Sequence, residues 1–177
     1  PWGGGTRIAV GFAPTRADVV LRTTALDQVV EYEPADLTVT VQAGMRLGAL
    51  QALLHEHGQM LALDPPSLDR ATIGGVVSSN AFGPMRLLYG SARDLVIGTR
   101  TANAEGMLTK AGGRVVKNVT GYDLNKLYTG AFGTLGVLVE LSLKLHPLPQ
   151  EYGTVVAHFE NIADGQAAVQ QIGRAHV

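Results

Sequence analysis

Residues 71–98 read ATIGGVVSSNAFGPMRLLYGSARDLVIG. Gly74 and Gly75 sit inside an apolar run, where glycine marks a backbone that another group approaches closely. Two readings are open at this point. In one, the neighbour is a ligand, and Thr72, Ser78, Ser79 and Asn80 offer hydroxyls and an amide to a diphosphate or a ribose. In the other, the neighbour is a second strand crossing tightly, and Ser78, Ser79 and Asn80 satisfy a turn. Asn80, Ala81, Phe82, Gly83 and Pro84 have turn composition. Residues 95–102 read as a strand.

Upstream, residues 61–70 contain Pro65 and Pro66 and form an extended loop. Before them stands a strand, turn and helix. Residues 37–42 alternate as a half-buried strand does, and Gly44 breaks the run. Leu47, Leu50, Leu53 and Leu54 then follow helical spacing, and Gly58 ends the helix. Residues 19–22 and 26–32 are two further strand candidates, the second followed by a turn at Pro34, Ala35 and Asp36. Near the start lie Gly3, Gly4, Gly5 and Thr6. Consecutive glycines leave backbone N–H groups uncovered, able to converge on an anion such as a pyrophosphate, and Thr6 adds a hydroxyl. A plain structural turn is the alternative.

Downstream, Glu105 and Gly106 make a hairpin turn, with a return strand from Met107. Residues 123–128 form a short helix or turn. A third glycine group, Gly130, Gly133 and Gly136, precedes a strand that carries Val137, Val139, Leu141, Leu143 and Leu145 on one face. Amides at the mouth of such a strand can bond the edge of a flat heterocycle; a bare hairpin is the other reading. Pro147 and Pro149 mark a boundary. A strand over 153–159 and a helix over 162–172 then look like the beginning of a second domain. The pattern is α+β. Neither G-x-G-x-x-G opening a βαβ helix nor G-x-x-x-x-G-K-[ST] occurs, so those two nucleotide folds are not supported.

Composition narrows the function classes. The chain has 177 residues, 46% of them apolar, enough for one domain with a core. Its 22 glycines exceed the roughly 12 of average usage, and they cluster. With 14 basic and 15 acidic side chains the net charge is -1, which gives no sign of a nucleic-acid binder. Basic charge gathers mildly at Lys110, Arg114, Lys117 and Lys126 against Asp123 alone, either as a solvated edge or as a surface for phosphate. There is no cysteine, so disulfides, a thiolate nucleophile and an all-Cys iron–sulfur cluster are excluded within this segment. No apolar stretch approaches the ~20 residues of a membrane span.

The histidines show no metal spacing. His55 and His57 are two apart and point to solvent, His146 makes a local hydrogen bond, and His158 and His176 lie outside the glycine motifs. Arg93 and Asp94 support the loop around Tyr89 and Gly90 through local hydrogen bonds, while Arg86 is placed to reach an anionic ligand or partner. Tyr122 is read as a packing residue. The chain opens on Pro1 without a Met, so structure ahead of the Gly3–Thr6 loop is expected to be missing.

Four stretches together resemble a known family: PWGGGT (1–6), VQAGMRLGALQALLHEHGQMLALDPP (41–66), the segment 71–98, and GGRVVKNVTGYDLNKLYTGAFGTLGVLVELSLKLHPLP (112–149). Their order and spacing resemble the FAD-binding domain of the vanillyl-alcohol oxidase/p-cresol methylhydroxylase (PCMH-type) superfamily, and within it the FAD-binding subunits of bacterial glycolate oxidases. The resemblance implies an FAD extended between two α+β subdomains. It assigns 1–149 to an FAD-binding domain lacking its N-terminal part, and 150–177 to the beginning of a substrate cap domain. It puts Gly3, Gly4, Gly5 and Thr6 at the pyrophosphate, and Pro66 and Ser67 along the cofactor. Ala71, Thr72, Gly74 and Gly75 fall on the diphosphate and flavin side, and Asn80, Gly83, Tyr89 and Gly90 in an adjoining loop. Gly133, Thr134, Gly136 and Val137 fall near the nucleotide end.

Two departures stand out. Ala131 and Phe132 replace the Ser-Glu frequent in the family, and Thr6 replaces a histidine that links flavin covalently in some relatives. Noncovalent FAD is therefore implied. The implied activity is oxidation of glycolate or a similar 2-hydroxy acid to the 2-oxo acid, with hydride passing to flavin. The implied assembly is a hetero-oligomer with a second flavoprotein subunit and an iron–sulfur subunit. The implied location is cytoplasmic, with membrane association through partners as a variant. Substrate-facing groups belong to the cap, so no catalytic residue and no metal ligand is assigned here. The alternatives are an accessory structural or electron-transfer FAD subunit, another FAD-linked enzyme such as a D-lactate dehydrogenase, and a ligand-binding module without flavin.

Overall fold

Val39 and Val41 alternate with Thr38, Thr40 and Gln42, while Leu141 and Leu143 alternate with Ser142 and Lys144. In the computed structural model of the chain, which describes residues 1–12, 15–113 and 122–174, these runs pair antiparallel. They belong to a five-stranded sheet built from β1 (Val29–Glu33), β2 (Thr38–Gln42), β4 (Val96–Ala102), β5 (Leu108–Gly112) and β6 (Val137–Lys144). The order is β1-β2-β6-β4-β5, with every neighbouring pair antiparallel. The short strands β3 (Gln59–Met60) and β7 (His146–Pro147) pair separately.

Val39, Val41, Leu141 and Leu143 are almost fully buried. They join one core with Leu47, Leu50 and Leu54 of α1 (Leu47–His55) and with Ile73, Val76 and Val77 of α2 (Ile73–Ser79). Burying each such side chain stabilises the fold by roughly 1.5–3 kcal/mol relative to exposure. The other sheet face is polar. Thr40 and Ser142 share a hydrogen bond of 2.8 Å, and Arg100 pairs with Glu140 at 3.2 Å. The α+β class and the Leu47–Leu54 helix are as the pattern indicates. So is the hairpin at Gly106, where the Asn103 carboxamide accepts from the N–H groups of Glu105 and Met107.

Several elements differ from the sequence expectation. Residues 73–79 are helical, not a strand crossing. The Thr72 side chain caps the helix and Asn80 closes it in the left-handed region, so local capping outweighs the low helix propensity of two glycines. Residues 19–22 form no strand; a single bridge joins Trp2 and Arg22. The strand expected from Leu26 begins at Val29, because Leu26 turns back to bond the Thr23 carbonyl.

Leu138 is buried while Val137 and Val139 are only half-buried, because a register irregularity opposite Arg100 and Thr101 shifts the phase of β6. Two short helices, α3 (Arg86–Tyr89) and α4 (Ala92–Leu95), follow α2, and α5 (Leu124–Tyr128) precedes the third glycine group. Residues 153–159 are exposed and belong to no strand, since no described strand borders them to take up their N–H and C=O groups. α6 (Ile162–Arg174) follows them. Arg114, Lys117, Asn118 and His176 lie outside the described residues; of the basic group, Lys126 pairs with Asp123 at 3.2 Å.

Candidate functional site

The three glycine segments meet on α2. Trp2 anchors the first: its N–H donates to the Leu21 carbonyl at 2.8 Å, and its own carbonyl accepts from Thr23 at 3.1 Å. This presses the loop against the start of α2, where a Cβ on Gly3 would collide with Thr72 Oγ1 and one on Gly4 with the Arg70 carbonyl. Gly74 is held equally close, since a Cβ there would lie 2.8 Å from Ala43. The third segment docks on the far end of the helix. Gly130 N–H donates to the Val77 carbonyl at 3.0 Å and Phe132 N–H to the Ser78 carbonyl at 2.8 Å. Gly133 then turns through φ 75° into contact with Pro1, a conformation that favours glycine.

The resulting cleft has a volume of about 150 Å³. The cleft is open to solvent on one side. Among the residues singled out in the sequence, Gly3, Gly4, Gly5, Thr6, Gly74, Gly75, Ser78, Ser79, Gly133, Gly136 and Val137 line it. The others do not. Pro66 and Ser67 are exposed on the loop before α2, while Ala71 and Thr72 are buried behind its first turn. Asn80 caps the helix end, with its Oδ1 buried and without a partner among the described residues. The Gly83 N–H donates to Asp64 at 3.0 Å. Tyr89 packs edge-on against His146, with ring centroids 4.9 Å apart, and Gly90 abuts Asp94. The Thr134 hydroxyl donates to the Ala131 carbonyl at 2.7 Å.

The glycine groups play different parts. Among the described residues no acceptor takes the N–H groups of Gly3, Gly4, Gly5 or Thr6. The first amides of α2 are all engaged: Ile73 with the Met45 carbonyl at 2.9 Å, Gly74 with the Ala43 carbonyl at 2.7 Å, and Gly75 with Thr72 Oγ1 at 3.3 Å. Donors for an anion therefore come from the first loop, and α2 contributes space. Trp2 and Phe132 add flat apolar walls, and Arg7 is the one ionisable side chain among the lining residues. These three were not singled out as ligand contacts in the sequence. The signal for Arg7 was its position directly after Thr6; for the two aromatics there was none beyond adjacency to glycine. With no carboxylate, imidazole or thiol in its lining, the cleft suits binding and not acid–base chemistry.

The shifted titratable groups lie outside this cleft. Hydrogen bonds from the Ser91 N–H and hydroxyl lower Asp94, completing a capping box on α4. The expected local support of the Tyr89–Gly90 loop thus comes from Asp94, through Ser91, and not from Arg93, which has no hydrogen bond or ion pair among the described residues. Arg86 lies 4.2 Å from the Phe82 ring centroid, an apolar seat that the sequence did not suggest. Burial, then Lys144, lowers His146, whose Nε2 is buried without a partner among the described residues, so that nitrogen makes no such local hydrogen bond. Tyr122 is 95% exposed and has no packing role among the described residues. Among the described residues no three His, Cys, Asp or Glu side chains gather to hold a metal ion, and no helix is long and apolar enough to cross a membrane.

Comparison with known proteins identifies the family of the chain. The family described as "FAD binding domain" matches residues 1–112. The chain is 36% identical over 177 residues to the glycolate oxidase subunit GlcD of Bacillus subtilis (strain 168), covering 100% of this chain and 38% of that protein. It is 44% identical over 123 residues to the glycolate oxidase subunit GlcE of Escherichia coli (strain K12), covering 69% and 35%. A solved alkyldihydroxyacetonephosphate synthase superposes with a TM-score of 0.79 at 27% identity, over 99% of this chain and 34% of that one. The chain thus spans between about a third and two fifths of the length of these relatives.

Proposed function

This chain belongs to the family of FAD binding domains, and from that premise we propose that its glycine-lined cleft holds the diphosphate and an adjoining part of a noncovalently bound FAD. One observation carries the reading: the N–H groups of Gly3, Gly4, Gly5 and Thr6 stand uncommitted beside the cleft. Such a row of amides neutralises a diphosphate without lysines. Gly74, Gly75, Gly133, Gly136 and Val137 would leave room for it. Pro66 and Ser67 would meet the remainder of the cofactor, outside the cleft. Ala71, Thr72, Asn80, Gly83, Tyr89, Gly90 and Thr134 would act by fixing α2 and its flanking loops. Noncovalent attachment is supported by Thr6, which cannot form the histidyl link, and by the absence of cysteine.

Bound FAD would supply a hydride acceptor, the chemistry by which a 2-hydroxy acid such as glycolate becomes a 2-oxo acid. The part of this chain is to bind and orient. Residues 1–149 would form the FAD domain and 150–177 the beginning of a cap that recognises substrate, so we assign no catalytic residue. The full protein would work in the cytoplasm or at a membrane through partners, beside a second flavoprotein subunit and an iron–sulfur subunit. An accessory FAD subunit with no substrate site of its own is the second reading, which the likeness to named subunits of glycolate oxidases leaves room for.

The test is the purified full-length protein. A flavin spectrum whose chromophore is released on acid precipitation is the expected result. A colourless protein that takes up no FAD on reconstitution contradicts the proposal, and flavin that stays with the precipitate contradicts noncovalent attachment. Bleaching by glycolate without oxygen or partners supports the catalytic reading. Bleaching only after partner subunits are added supports the accessory one.

A further inference from the structure

Behind the first glycine loop lies a second, separate pocket of about 160 Å³, lined by Trp2, Gly3, Gly4, Thr24 and three arginines, Arg22, Arg46 and Arg70. It shares only Trp2, Gly3 and Gly4 with the cofactor cleft, so the Gly3–Gly4 backbone is a wall common to both. The arginines come from three separate segments, and each is held by its backbone. Arg22 bridges Trp2, Arg46 bridges Thr72, and the Arg70 N–H donates to the Ser67 carbonyl at 3.0 Å. The Arg46 guanidinium also donates to the Asp69 carbonyl at 3.0 Å, which fixes its direction. Among the described residues none of the three forms an ion pair, and the Asp69 side chain does not line the pocket.

Three arginines and no acidic side chain line this one concavity, so its charge favours an anion. Their planar forks match the oxygens of a phosphate or carboxylate in pairs, and the Thr24 hydroxyl adds a further donor. A pocket of about 160 Å³ is of a size that suits one small oxyanion. We propose that Arg22, Arg46 and Arg70, with Thr24, form a site for a small dianionic oxyanion such as inorganic phosphate, back to back with the glycine-lined cleft and distinct from it. A dianion is favoured over a monoanion because three arginines line the pocket. The exposed setting makes the site weak and sensitive to ionic strength.

The experiment is calorimetric titration of inorganic phosphate into the full-length protein at saturating FAD, with ionic strength held constant by chloride. The expected result is saturable binding, at least about tenfold tighter than acetate binds under the same conditions. Arg22→Gln/Arg70→Gln should weaken it by about tenfold or more, with the far-ultraviolet circular dichroism unchanged. Both arginines lie outside the cofactor cleft, so their effect separates the two sites whether or not FAD is bound. Equal responses to phosphate, acetate and chloride would overturn the proposal, as would a double variant that binds phosphate like the parent.

Discussion

His146 opens β7 with its ring edge-on to Tyr89 and its Nε2 buried without a partner among the described residues. Burial disfavours the imidazolium, and Lys144 adds to the effect, so the folded pKa lies below the ordinary 6.5. The sign of the linkage follows. The unfolded chain takes up this proton near pH 6.5 and the folded chain only at lower pH. Stability is therefore complete above pH 6.5 and is lost as pH falls from there toward the folded value. The urea midpoint should drop between about pH 7.5 and about pH 5.5, and drop less in His146→Leu. Equal drops in both proteins would contradict this account. The burial was not legible in the sequence, because the contact with Tyr89 brings α3 and β7 together from distant parts of the chain. The close backbone approaches at Gly3, Gly4 and Gly74 were easier to read, since glycine in an apolar or consecutive run has few other reasons to be there.

At the scale of the element, α2 decides most. It is short, contains two glycines, and lacks the apolar periodicity that identified α1, so the sequence left ligand contact or strand crossing open and missed the helix. What makes it a helix is its ends and its surroundings: Thr72 at the start, Asn80 at the close, and the carbonyls of Met45 and Ala43 taking its first two N–H groups. Thr72→Ala should destabilise the protein by about 1 kcal/mol, with Thr72→Ser restoring most of it. Guanidinium denaturation measures both, and an alanine variant as stable as the parent would remove the cap from the account. Residues 153–159 fail in the opposite direction. They have strand composition, but strand structure needs a neighbour, and composition cannot report whether one is within reach. The phase shift in β6 was hidden for a related reason: a bulge is a property of the pair of strands and not of either alone.

For the molecule as a whole, the fold class and the family were legible because many weak glycine motifs occur in one order and spacing. The cleft itself was legible only in part. Eleven of the residues singled out line it, while the rest support α2 and its loops or lie exposed nearby. The donors of the first loop were readable in its consecutive glycines, whereas the lack of free amides at the start of α2 was not, because it depends on which amides the chain already uses. Gly75 offers the most direct test of that arrangement. It lines the cleft from within α2, and a Cβ there would meet only Thr72 Oγ1, at 3.0 Å. A larger side chain is thus admitted by the helix but fills the space proposed for the cofactor. FAD should be titrated into flavin-free full-length protein, parent and Gly75→Leu, with circular dichroism run alongside. The account predicts unchanged secondary structure and FAD affinity weakened by about a hundredfold or more, equivalent to about 2.7 kcal/mol. A leucine variant that folds and binds FAD as tightly as the parent would contradict it.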